Sequence, residues 1–150
     1  MKLDVSNGSI EAILGDDLDA KFRKESLISA INGDKAKVDL LKSEISTVNG
    51  DDLNAKIRSR STISTINGDK LKVVMTRRSK IENINGDIAN LRMIGNIDIS
   101  EINGNIRKLI MKNNCSIKLV NGNISSLTKT TDSNIETVVG RIREEIITDA

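Results

Sequence analysis

Eight glycines divide this chain at almost constant intervals: Gly15, Gly33, Gly50, Gly68, Gly86, Gly104, Gly122 and Gly140 are 18, 17, 18, 18, 18, 18 and 18 residues apart. A short fixed period means one structural unit copied along an axis. Other positions keep the same phase. Five residues before every glycine stands an isoleucine (Ile10, Ile28, Ile45, Ile63, Ile81, Ile99, Ile117, Ile135), and two before it an Ile or Val. Asparagine immediately precedes six of the glycines, from Asn32 to Asn121.

Beyond each glycine, apolar residues alternate with polar ones, as in Leu18-Ala20-Phe22, Leu53-Ala55-Ile57 and Leu71-Val73-Met75. That period of two, carried by β-branched residues, marks strands with one buried face. From Ile88 onward the first apolar residue lies one place closer to the glycine (Ile88, Ile106, Ile124, Ile142), which predicts a change of turn midway. The chain has no proline to remove a ladder donor, and one aromatic residue, Phe22. Thin stacked layers are filled by aliphatic side chains, where a globular core leans on aromatic bulk.

Asn-Gly between alternating runs also fits an antiparallel meander of hairpins. The charges favour a parallel stack. Two places after the glycine the first rungs read Asp17, Lys35, Asp52, Lys70, and six places after it Lys21, Asp39, Lys56. Coils lying directly on one another select such alternation, because like charges opposite each other destabilise. The expectation is an all-β, single-stranded parallel β-solenoid (β-helix) of about eight coils of 17–18 residues, forming one domain over 1–150. The segment 141–150 reads as either a frayed final coil or a short cap. A hexapeptide helix is disfavoured, because Asp16, Asp34 and Asp51 stand six places after the constant Ile. The Asn-Gly pair predicts a tight, left-handed corner, and the six asparagines an inward ladder of stacked amides.

Chemistry is sparse. There is no histidine, the commonest general base and metal ligand. Cys115 is the single cysteine and falls in a column of Ser26, Ser43, Ser61, Ser79, Ile97 and Ser133, so it reads as a small packing residue. The carboxylates after the glycines (Asp34, Asp51, Asp69, Asp87) are weak metal candidates, and a solvated turn accounts for them. A basic ridge includes Arg58, Arg60, Arg77 and Arg78. The net charge of +2 argues for no global field. The missing aromatics leave no platform for bases, so no specific nucleic acid is expected as a partner. No catalytic residue and no cofactor is expected, and the chain reads as a non-enzyme. The opening residues, MKLDVSNGSI, carry no apolar signal stretch, and no segment is long enough to span a membrane; the expected location is cytoplasmic.

In the runs from Ile81 to Ile88 and from Ile63 to Asp69 the chain resembles two bacterial β-solenoid groups: the bactofilins, which are polymer-forming cytoskeletal proteins, and the adhesin-like β-helical repeat family. The resemblance covers nearly the whole chain and supplies no catalytic residues. It implies a structural role. The repeat pattern already runs through MKLDV with no helix before it to cover the first coil, so the ends read as open. The expectation is a rod that associates with itself end to end through Leu3 and Val5 at one end and Ile142, Ile146 and Ile147 at the other. The alternative is a surface adhesin or phage-fibre-like module that binds through the charged side face.

Overall fold

A computed structural model describes all 150 residues as seventeen strands without a helix, so no helix long and apolar enough to cross a membrane is present. Strands β1 (Lys2–Ser6), β3 (Asp17–Arg23), β5 (Lys35–Leu41), β7 (Asp52–Arg58), β9 (Lys70–Thr76), β11 (Ile88–Ile94), β13 (Ile106–Lys112), β15 (Ile124–Thr130) and β17 (Ile142–Thr148) form a nine-stranded sheet. Strands β2 (Ser9–Leu14), β4 (Leu27–Asn32), β6 (Glu44–Asn49), β8 (Thr62–Asn67), β10 (Lys80–Asn85), β12 (Ile97–Asn103), β14 (Cys115–Asn121) and β16 (Asn134–Val138) form an eight-stranded sheet. Every pairing is parallel, and each strand pairs only with its counterparts one coil away. The molecule is a parallel β-solenoid with two strands per coil. Nine strands at the usual spacing make a rod about 38 Å long.

The alternating charges meet as the stack requires. Asp17 pairs in register with Lys35, Lys35 with Asp52, and Asp52 with Lys70. The closest ion pair is a diagonal one, in which Arg58 grips both oxygens of Asp39 at 2.6 and 2.7 Å. At its half-exposed site that pair is worth about 0.5–1 kcal/mol.

The core lies between the sheets and consists of side-chain columns along the axis. One coil contributes five aliphatic side chains, for example Ile81, Ile84, Ile88, Leu91 and Met93, all at most 1% exposed. Two of these come from the strand before the glycine, where the isoleucines are three residues apart and simple alternation would place them on opposite faces. The pairing steps over the residue after the first isoleucine (Ser29, Ser46, Ser64, Glu82), so all these strands bend at the same place and turn both isoleucines inward. No buried side-chain nitrogen or oxygen lacks a partner.

The two corners of the coil work differently. At the glycine corner the amides of Gly15, Gly33, Gly50, Gly68, Gly86 and Gly104 each donate to the asparagine carbonyl of the next coil, as from Gly50 to Asn67 and from Gly68 to Asn85, both at 3.0 Å. A Cβ on Gly33, Gly50, Gly68, Gly104 or Gly122 would run into the carbonyl oxygen of the glycine one coil earlier. Close stacking therefore demands glycine here, and only Gly86 (φ 126°) and Gly104 (φ 153°) among the repeat glycines also have positive φ. The expectation of a left-handed Asn-Gly corner is thus corrected.

Left-handed residues sit at the opposite corner instead: Lys24-Glu25, Lys42, Ser59-Arg60, Arg77-Arg78, Gly95-Asn96 and Asn113-Asn114. The single 17-residue interval has its missing residue there, with Lys42 alone where the coils on either side have two, Lys24-Glu25 and Ser59-Arg60. The midway change is also real. Between Ile88 and Asn90 the register against β9 shifts, and from Asp87 onward the corner reverses its hydrogen bonds. Lys70 donates back to Asp51, whereas Ile88 donates forward to Asn105, both at 2.8 Å. The freed amide of Asn105 is taken by the Asp87 carboxylate at 2.9 Å, and that of Asn123 by the Asn105 side chain at 3.0 Å.

Candidate functional site

Three surfaces hold the residues singled out by sequence: the asparagine column, the left-handed corner and the rod ends. The column is a continuous hydrogen-bonded ladder. Each amide Nδ2 donates to the Oδ1 one coil earlier, over 2.5 Å (Asn49 to Asn32), 2.7 Å (Asn67 to Asn49), 2.8 Å (Asn85 to Asn67), 3.0 Å (Asn103 to Asn85) and 2.8 Å (Asn121 to Asn103). None of the six asparagines is buried, so the ladder runs along the corner rim and not inside the core as expected. One-directional amide chains of this kind polarise one another and fix register.

The left-handed corner carries the basic ridge. Lys42, Ser59, Arg60, Arg77, Arg78, Gly95 and Asn96 line an open groove of about 480 Å³ with four cations and no acid. Arg58, grouped with them by sequence, lies at the end of β7 and is occupied by Asp39, and Lys80 lies on the other sheet beside Glu82 at 3.6 Å. Arg77 and Arg78 have φ of 56° and 62°. Asparagine and glycine reach this region at lower cost than arginine, and the following coils use Gly95-Asn96 and Asn113-Asn114. Arg78→Asn is expected to stabilise the rod by about 1 kcal/mol in urea denaturation, because it relieves the backbone without touching the core.

Below this corner a small buried residue ties the turn. Ser26 donates to Arg23 at 2.8 Å, Ser61 to Arg58 at 2.7 Å, Ser79 to Thr76 at 2.9 Å, and Cys115 to Lys112 at 3.1 Å, each to the carbonyl three residues back. Burial pushes the Cys115 thiol above its ordinary pKa, so near neutrality it is protonated and a poor nucleophile. Cys115→Ser is expected to leave stability within about 1 kcal/mol of the parent, with thiol reagents labelling the parent only once it unfolds. The acidic column (Asp34, Asp51, Asp69, Asp87) does not converge into a group of three or more that could hold a metal ion.

The outer edges of β1 and β2 at one end, and of β16 and β17 at the other, have no strand partner within the chain. The residues 142–148 continue the sheet as its ninth strand, as a last coil and not a cover over it. Leu3, Val5 and Ile142 are half-buried against the core, while Ile146 and Ile147 are exposed. Register separates these last two. Ile147 stands in the register column that begins at Val5 and passes through Phe22 and Met93, although Lys129 interrupts that column between Met111 and Ile147, whereas Ile146 ends an outward column through Arg92 and Ile110. The column that begins at Leu3 ends in Glu145, which pairs with Lys129 at 3.2 Å.

At the ends, Val139 in place of the ladder asparagine is readable from sequence, but its counterpart Leu14 escaped it. Leu14 pairs with Asn32, so it occupies the asparagine column one coil before the ladder starts. Val139 follows Val138, the partner of Val120, and holds the column's next place after Asn121. Both are 68% exposed, so the ladder is terminated at each end by an unpaired apolar side chain. Leu14 was legible as the exception at the start of the asparagine column, as Val139 is at its end.

Comparison with protein-family models, curated proteins and solved structures finds no match. The geometry alone carries the functional reading.

Proposed function

We propose that this chain is a non-enzymatic structural rod that joins end to end into a filament or scaffold. The carrying observation is that the two ends carry the opposite termini of the same columns. In a head-to-tail junction Ile147 meets Val5, Ile135 meets Ile10, Val138 meets Ile13, and Val139 meets Leu14. Those contacts remove apolar surface from water, and the open strand edges supply backbone hydrogen bonds. A heterologous contact of this kind propagates without closing. The resemblance to bactofilins points the same way.

Sedimentation velocity and negative-stain microscopy over rising concentration are expected to show fibres. Leu14→Lys with Val139→Lys should block them by placing like charges at each junction, and Leu14→Lys with Val139→Asp should restore them. A strict monomer at high concentration would remove the proposal.

The left-handed arginines support a second reading, a surface module that binds an anionic partner through the basic groove. There, Arg77→Asn with Arg78→Asn would abolish partner binding in a titration while leaving assembly intact.

A further inference from the structure

The near-neutral net charge conceals a division across the rod. The nine-stranded sheet carries fifteen Lys and Arg against seven Asp and Glu, and the eight-stranded sheet two against six. The corners extend the division: the left-handed corner adds Lys24, Lys42, Arg60, Arg77 and Arg78 against Glu25 and Asp132, and the glycine corner adds five aspartates against Arg141. The reading of no overall field from a charge of +2 therefore misses a strong transverse polarity.

The excess is concentrated. On β9, β11 and β13 there are six cations (Lys70, Lys72, Arg92, Arg107, Lys108, Lys112) and no acid. None of these six belongs to an ion pair within the chain, and neither do Glu11, Glu44, Glu101 and Glu136 on the opposite sheet.

We propose that rods also associate side by side, the nine-stranded face of one copy lying on the eight-stranded face of another. Three features select a second copy as the occupant. The two faces have opposite sign. Both repeat at the same coil spacing, about 4.8 Å, so an offset that pairs charges at one coil pairs them at the next. Duplex phosphates, which advance about 3.4 Å along the helix axis per nucleotide of each strand and wind around it, do not share that period. Finally, a face about 38 Å by 20 Å buries roughly 1,500 Å² between two copies, the size of a standard interface. Like faces repel, so the contact is heterologous and open, and it builds layers or bundles. It does not rest on end-to-end growth, and each contact works with or without it.

Static light scattering of the full chain tests this through the sign of its salt response. A uniformly charged rod repels its copies at low salt. This one is expected to attract them at about 0.05 M salt and to lose the attraction by about 0.5 M, as the screening length shortens. Lys72→Gln with Arg92→Gln and Lys108→Gln should abolish the low-salt attraction, and so should Glu44→Gln with Glu101→Gln and Glu136→Gln. In a Cys115→Ser background, Lys108→Cys and Glu101→Cys copies mixed with a bis-maleimide should cross-link to each other several-fold more than Lys108→Cys copies do among themselves. The end-blocking Leu14→Lys with Val139→Lys variant should keep the salt-dependent attraction, so a failure of the filament leaves this contact measurable. Repulsion at low salt, attraction that salt strengthens, or attraction untouched by the glutamine variants would overturn the proposal. So would binding of a short DNA duplex or anionic vesicles to the basic face while copies of the chain ignore one another.

Discussion

Gly68→Ala is expected to cost more than about 3 kcal/mol in urea denaturation followed by circular dichroism, and to leave much of the protein insoluble at physiological temperature. The added methyl would occupy the space of the Gly50 carbonyl oxygen. That oxygen belongs to backbone held in register by both neighbouring strands, so it does not yield as a flexible side chain would. Separating the coils enough to fit a methyl would stretch the 3.0 Å bonds from Gly50 to Asn67 and from Gly68 to Asn85, together with the 2.7 and 2.8 Å amide bonds that join Asn49, Asn67 and Asn85 beside them. Gly8→Ala is the control. A Cβ there approaches only the Val5 side chain, at 3.0 Å, and the cost should stay within about 1 kcal/mol. Equal losses in the two variants would mean that conformational entropy, not coil-to-coil contact, keeps the column glycine.

The contrast between Gly68 and Arg78 shows what sequence made legible and what it hid. A column that admits one residue type announces itself, and so do the constant isoleucines; period and register were readable for that reason. Parallel stacking was readable from the alternating charges, and the midway shift from the apolar residue that moves toward the glycine at Ile88. The conformational cause was not. Asn-Gly suits a left-handed turn, and glycine suits a close backbone approach equally well, so sequence alone gives no way to tell crowding from φ. The truly left-handed corner went unrecognised because it is filled by Lys, Arg, Ser and Asn in turn, held by the buried serine beneath it. The i, i+3 spacing of Ile28 and Ile31 concealed the shared bend, because a strict period of two places those residues on opposite faces. Charge escaped for a further reason. Net charge sums over the chain, while the polarity of the rod exists only once the strands are dealt alternately to two sheets. Lys72 and Glu82 are ten residues apart and lie on opposite faces.

Phe22→Ala should separate the end of the rod from its middle. Phe22 is fully buried and stands between Val5 and Leu40 in its column, so its truncation leaves a cavity worth about 3–5 kcal/mol. In a compact globular core that loss would be shared by the whole domain. In a stack whose stability is a sum of neighbour interfaces, it falls on the interface that holds the first coil. Beyond β1 there is no further strand to hold that coil in place. Hydrogen exchange is therefore expected to accelerate on the order of 100-fold or more in β1 and β2, with β9 to β13 protected as in the parent. The lesion also reaches assembly. Leu3 and Val5 form the apolar floor of that end, and a frayed first coil presents no ordered edge for Ile147 and Val139 of the next rod. Fibres should disappear although most of the chain remains folded, and trimming residue 22 should do to growth what the end-blocking charges do. Uniform loss of protection from β1 to β17 would instead make the rod a single cooperative unit, and the ends would then have no stability of their own to lose.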